Sequence, residues 1–333
     1  MKIRPLLITI CSFFLLQTAF SQDLRQDLLL YYPLDGNAKD YSGRNYDGDD
    51  HAIPTTDRTN TPNMAMEFNG SDTYIDLPFN FDLKPTFPFA IAFWVYFEEG
   101  ATFIMTTDYA QDNHTGAWFN RILASKKFSF SVGDATGNTS PNQRFTFDTD
   151  YVMEDKTWYH VAVNWLDLHD AQVYINAFER ETFTSGGAVG LGYTNNPGTI
   201  GRKDGNVLDD PFYFKGKVDE YYMWNRALTQ EEVDILFYGN GLSNTDDISV
   251  NACGFTLSPN PTDYELTISQ NNDVKISSVS IFDLAGKLVA EHNLDGTSSF
   301  NVSALGAGTY VAKLVGENSK GKSFYSIEKF VKS

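Results

Sequence analysis

Phe214–Phe237 reads FKGKVDEYYMWNRALTQEEVDILF, and this stretch decides the fold: a strand, a turn and a capped helix. Thr229 stands three residues before Glu232, so the two form a capping box. Leu228 and Val233 take the two positions of a hydrophobic staple. The helix is therefore predicted to start near Gln230. Val233, Leu236 and Phe237 recur at helical spacing, and Gly239 supplies a left-handed stop. Ahead of the helix, Val218 and Tyr221 lie in a β-rich run that also holds Asp219 and Glu220. Two acids in a segment built for burial require a partner.

The pattern G-K-V-D-E-x-x-x-W-N-R-A-L-T-x-E-E resembles the closing segment of laminin G-like, concanavalin A-like jelly-roll domains. The resemblance implies that the closing strand pairs with the first strand of the domain. A matching opening is present as LLLYYPL, Leu28 to Leu34, followed by DGNAKDYSGRNYDG. Asp35, Asn37, Asp40, Asn45 and Asp47 crowd oxygen atoms into that loop, and Gly36, Gly43 and Gly48 punctuate it. Two readings stand: Asx turns held by hydrogen bonds, or a calcium site, which takes six to eight oxygen ligands. The resemblance favours structural calcium, with Asp40 and Asp219 giving carboxylates and Asn45 and Gly48 further oxygens. An EF-hand is excluded, because its ordered D-x-D-x-D-G spacing is missing.

Between these ends the hydrophobic period is two. Ile91, Phe93, Val95 and Phe97 share one face of a strand, with Trp94 and Tyr96 on the other, as in a strand covered on both sides. Phe128, Phe130 and Val132 alternate in the same way, as do Val161, Val163 and Trp165, then Val173 and Ile175. Ala65–Phe68, Asn69-Gly70-Ser71 and Tyr74–Leu77 read as a hairpin. WYHVAVNW and AQVYINAFERE resemble two consecutive family strands, with Ala177 where glycine is usual; a turn of another type is expected there.

No H-E-x-x-H, G-x-S-x-G or phosphate-cradling loop is present. The carboxylate run E-x-D-x-x-E of jelly-roll glycosidases is also missing; Glu179 and Glu181 share a face but have no third acid nearby. His160, following Trp158-Tyr159 on a strand, is read as part of the fold. The chain is thus expected not to be an enzyme. Residues 106–121 and 186–213 are rich in aromatics and planar polar groups, including Asp112, Asn113, His114, Asn195, Asn196, Asp204, Asp209 and Asp210. That mixture serves sugar recognition and equally serves sandwich corners. The expected ligand-binding residues are Trp118, Arg121 and Tyr193.

The chain has 333 residues, enough for two domains. Residues 1–21 carry Lys2 and Arg4, an apolar run from Leu6 to Leu16 and Ala19-Phe20-Ser21. This reads as a secretory signal peptide rather than a membrane anchor, the run being too short for a membrane span. The chain has 43 acidic against 25 basic residues, which makes nucleic acid and anionic membranes poor partners. Of two cysteines, Cys11 leaves with the leader and Cys253 is alone, so no disulfide framework supports the exported fold.

The first domain spans 23–242, residues 243–253 are a polar, acidic linker, and the style changes from 254 to 333. Pro259-Asn260-Pro261, Val279 to Lys287 with Gly286 in a hairpin turn, Leu305 to Tyr310, and a basic end at Lys329 to Ser333 follow in order. This part resembles the C-terminal sorting domain of the type IX secretion system, the other reading being an ordinary immunoglobulin-like adhesion sandwich. The expected fold is all-β: a two-sheet concanavalin A-like jelly-roll sandwich plus a small immunoglobulin-like sorting domain. The resemblances imply export through the periplasm to the outer surface or medium, with type IX machinery as partner and no transmembrane segment in the mature chain. The expected role is carbohydrate or glycoconjugate binding with structural calcium. Protein adhesion or scaffolding is the alternative, and polysaccharide degradation a third reading.

Overall fold

The computed structural model describes residues 23–109, 114–136, 141–203, 212–238, 249–250, 255–269, 274–284, 286–294, 296–317 and 323–333. The signal peptide, Gly239, Asp112, Asn113, Asp204, Asp209, Asp210 and most of the linker lie outside these residues. Within the linker, Ser249–Val250 pairs in parallel with Phe324 and Tyr325.

Two eight-stranded sheets make the first domain. In the first sheet, Lys215–Trp224 is central. It pairs antiparallel with Phe89–Phe97, with Ala65–Asn69 and, through Tyr31↔Tyr222, with the opening strand Leu28–Tyr32. Opening and closing strands therefore meet as expected. The second sheet carries Thr115–Arg121, Lys127–Asp134 and Arg144–Val152 side by side.

Period-two alternation puts Ile91, Phe93, Val95 and Phe97 of one sheet against Phe119, Phe128, Phe130 and Val132 of the other. Trp165 is the hub of this core, stacked on Phe89 at 4.6 Å between ring centroids and edge-on to Phe119 at 5.3 Å. Rings at these separations gain specific attraction beyond their buried area. The outward residues of the first sheet are buried as well. Trp94, Ala162, Tyr174, Tyr222 and Trp224 join Val233, Leu236 and Phe237 of helix α1, Gln230–Tyr238, in a second cluster.

The capping box forms in both directions: Glu232 N donates to Thr229 Oγ1 at 3.2 Å and Thr229 N to Glu232 Oε2 at 2.9 Å. Arg226 holds the same carboxylate at 2.6 Å. Asn164 clamps the turn before the helix, accepting from Leu228 N and donating to Leu228 O, each at 2.8 Å.

Two local expectations are corrected. Ala65–Asn69 and Ile75–Asp76 are not a hairpin; they lie in opposite sheets, so Asn69–Tyr74 crosses the sandwich. Its turn is held by Asn69 and Thr73 side chains. At 176–177 the two-residue turn joining Ile175 to Phe178 has φ of 54° and 67°. Both positive angles give the hairpin-favoured type I′ geometry, with alanine standing in the left-handed position that glycine normally fills.

Behind the linker, Lys275–Phe282, Leu288–Asn293, Gly308–Glu317 and Ser323–Lys332 join Ser249–Val250 in a five-stranded sheet. A three-stranded sheet of Thr256–Ser258, Glu265–Ser269 and Ser299–Asn301 accompanies it. Leu266, Val279, Ile281, Phe300 and Leu314 fill the core between the two.

Candidate functional site

The opening loop satisfies itself. Asp40 Oδ1 accepts from Tyr31 N at 3.2 Å and Ser42 N at 2.8 Å, and Oδ2 from Ser42 Oγ at 2.8 Å and Tyr46 N at 3.0 Å. Asn45 sits at φ 61°, within the tolerance of its residue type. Gly48 packs where a Cβ would lie 2.8 Å from Ile75 Cγ2.

Asp219 is 2% exposed and its partner is Arg58, at 2.8 Å; Glu220 takes the other guanidinium nitrogen at 3.0 Å. Glu220 has φ 49° at a bulge in the closing strand, which turns both neighbouring acids toward one arginine. Arg58 lies 4.4 Å over the Trp94 ring. Burial, then the Glu220 charge, raises the Asp219 carboxyl above its ordinary range, while Arg58 works against them. Asp40 is held by four donors of its own loop and Asp219 by a guanidinium, a set of partners that does not suit a calcium ion between them. Among the described residues no three His, Cys, Asp or Glu side chains come together as a metal-holding group.

Of the three expected ligand residues, Arg121 and Trp118 are buried struts and Tyr193 is half-buried. Arg121 is 1% exposed, lies 4.4 Å over Phe97, donates to Ala101 O and Met153 O, and pairs with Asp155 at 2.6 Å. Trp118 is 3% exposed, between His114 on one side and Lys203 Nζ, 4.8 Å from its ring. Tyr193 donates to Pro85 O at 2.6 Å, and burial pushes its hydroxyl pKa up. Beside it Lys84 reaches Asp108 at 2.6 Å, Thr107 O at 3.0 Å and Asn196 O. Thr194 N also donates to Asp108, at 2.7 Å. This buried pair ties residues 84–86, 107–108 and 194–196 into one unit. His160 is 1% exposed among Trp94 and Phe237; burial, with the Arg58 charge, pulls its pKa down to about 3, so the ring is neutral.

Residues that the sequence reading passed over build an open cleft of about 310 Å³. Its walls are Leu29, Arg44, Phe81, Asp82, Lys84, Pro85, Thr86 and Asn225. A short 3₁₀ turn, Phe81–Leu83, is held by Asn80, whose side chain accepts from Asp82 N at 2.9 Å, and is anchored by buried Leu83. With Leu83 turned in, Phe81 is left 70% exposed, and Phe79, 48% exposed, stands edge-on to it at 5.4 Å. Asp82 accepts from Tyr46 Oη at 2.8 Å and faces Arg44 at 3.4 Å; Arg44 Nε also donates to Leu28 O. The available signal was PFNFDLKP, two phenylalanines in a proline-bounded segment with no strand partner.

Residues 69–234 match the family model described as the concanavalin A-like lectin/glucanases superfamily, and residues 256–328 that of the secretion system C-terminal sorting domain. No curated protein matches. Among solved structures, the ligand-binding domain of botulinum neurotoxin serotype D in complex with N-acetylneuraminic acid is similar at TM-score 0.50 and 12% identity, over 87% of this chain and 71% of that one. The binding domain of botulinum neurotoxin DC with rat synaptotagmin II gives 0.48 and 13%, over 91% and 74%. A heptameric SAP-like pentraxin from Limulus polyphemus gives 0.38 and 17%, over 53% and 82%. At 12% identity the likeness to the serotype D domain is one of fold alone. The sorting domain marks the chain for secretion or the outer surface, and no helix among the described residues is long and apolar enough to cross a membrane. The chain is a concanavalin A-like, laminin G-type domain carrying a type IX secretion C-terminal sorting domain.

Proposed function

We propose that the first domain is a non-enzymatic carbohydrate-binding module of the outer surface or medium, and that its ligand occupies the Phe81 cleft. The observation that carries this reading is the exposed Phe79–Phe81 pair at the lip of a cleft with Arg44, Asp82, Thr86 and Asn225 in its walls. A sugar ring offers a C–H face to an aromatic ring and hydroxyls to planar polar groups, and the cleft supplies both. Its volume suits one or two sugar units, at the small end of ligand pockets, roughly 300–1,000 Å³. Binding needs no metal in this reading, because Asp40 and Asp219 are already matched by donors of the chain.

The neurotoxin domain solved with N-acetylneuraminic acid directs the first probes to sialylated glycans. The full secreted chain is screened on a glycan array, alongside Phe81→Ala and Arg44→Ala. Glycan signal that both substitutions abolish supports the reading. A blank array from folded protein overturns it in favour of protein adhesion, which would draw on the same exposed rings.

A further inference from the structure

The five-stranded sheet of the sorting domain carries buried apolar side chains on both faces, with Lys313 between Val311 and Val315 on the outer one. Along Gly308–Glu317, Ala312 and Leu314 point into the sorting-domain core, and Val311 and Val315 point the other way. A sheet in a small two-layer domain normally shows its outer face to water. Here Val311 is 0% exposed, and with Phe282 and Ile327 it packs into the aromatic cluster around α1. Phe282 lies edge-on to Tyr238 at 5.2 Å and to Phe237 at 6.2 Å.

The contact has a defined shape as well as a greasy surface. Gly286, at φ 81° in the hairpin after Phe282, leaves no room for a side chain: a Cβ would stand 2.5 Å from Asn176 Cβ and 2.8 Å from Phe237 Cζ. Asn176 belongs to the type I′ turn of the first domain, so two hairpin turns and one helix meet there. Arg180 Nη2 reaches Leu284 O at 3.5 Å across the same boundary, and the Lys329 charge acts on Asp234 of α1.

The first-domain side of this contact comes from three distant segments: Trp94, Asn176 and Phe237, with the Trp94 and Phe237 rings stacked at 5.3 Å. They adjoin only once strands Phe89–Phe97, Ala171–Ile175 and Lys215–Trp224 have paired. We propose that the outer face of the sorting sheet is an interaction surface for this aromatic corner, so that the sorting domain completes its packing only on a folded first domain. A chain whose first domain has not closed keeps Phe282 and Val311 open to solvent, and the export address is shown in its docked form by folded cargo alone.

Hydrogen exchange on the full chain tests this with Gly286→Asn and, as control, Gly296→Asn. Asparagine tolerates left-handed backbone at either turn. At Gly296, φ 90°, the added Cβ meets only the flexible Lys275 side chain at 3.3 Å. Gly286→Asn is expected to speed exchange at least tenfold in both α1 and Gly308–Glu317, with Gly296→Asn leaving α1 unchanged. Equal α1 protection in the two variants overturns the proposal. Should Gly286→Asn not fold, Phe282→Ala decides in its place, since Phe282 is only partly buried and lies outside the sorting core. Faster α1 exchange supports the docking, and unchanged α1 exchange overturns it.

Discussion

Arg121 and Arg44 both stand beside phenylalanine rings, and the contrast between them separates frame from site. Arg121 is closed in by Phe97, two main-chain carbonyls and Asp155, so each of its three nitrogens is already engaged. Arg44 spends one nitrogen on Leu28 O and turns the rest toward Asp82 in an open cleft, its side chain 39% exposed. The same holds for the rings: Trp118 is buried and Phe81 is open. Residue type is shared between the two places; solvent access is what differs.

The comparison breaks most sharply at Arg121. Arg121→Ala leaves the Ala101 and Met153 carbonyls without their donor while Asp155 keeps Lys126 at 2.8 Å, and is expected to cost about 1–3 kcal/mol for each buried acceptor left unpaired. Urea unfolding reads it, and a loss under about 1 kcal/mol would make Arg121 a surface group after all. Phe81→Ala is the opposite case: stability should stay within about 0.5 kcal/mol, as for surface substitutions, while glycan affinity falls at least about tenfold, or about 1.4 kcal/mol.

His160 sharpens the frame side of the comparison through pH. Its pKa in the folded chain lies near 3 against an ordinary 6.5, so the native state binds fewer protons than the unfolded one between those values. The stability it contributes is complete above pH 6.5 and is lost as pH falls toward 3, by up to about 1.4 kcal/mol per unit. Asp234, raised by burial to about 6, has the opposite sign between about 4 and 6, because the folded state there holds the extra proton. Replacing His160 removes only the first effect. The stability gap between the parent chain and His160→Gln should therefore narrow from pH 7 to pH 4.5, and a constant gap would mean that the ring protonates in place.

Asp40 gives the smallest effect. Asp40→Ala removes a carboxylate that ties four donors of the opening loop, costing about 1–2 kcal/mol in the manner of a lost cap. A chelator should leave the melting temperature of the parent chain unchanged, and a fall on chelation would restore a cation to this loop.

The frame was legible where the signal was local. Thr229, Glu232 and Leu228 announced the helix start, and alternation at Ile91–Phe97 and Phe128–Val132 announced two covered sheets. The need of Asp219 for a partner was also legible, but its answer, Arg58, lies 161 positions away and has no spacing to betray it. The cleft failed to show for a related reason. Trp118, Arg121 and Tyr193 have the composition of a sugar site, and only the folded sandwich reveals that Trp118 and Arg121 face inward and that the Tyr193 hydroxyl is taken by Pro85 O. Phe81 is exposed because Leu83, two residues on, takes the buried position of the same turn.

Titration of the strongest array glycan into the full chain, beside Phe81→Ala and Trp118→Ala, distinguishes a ligand in the Phe81 cleft from one on the second sheet. Phe81→Ala is expected to lose binding with its unfolding midpoint intact, and Trp118→Ala to lose stability while the fraction still folded binds as the parent does. Undiminished binding by Phe81→Ala, with loss confined to folded Trp118→Ala, would contradict this and move the site to the second sheet.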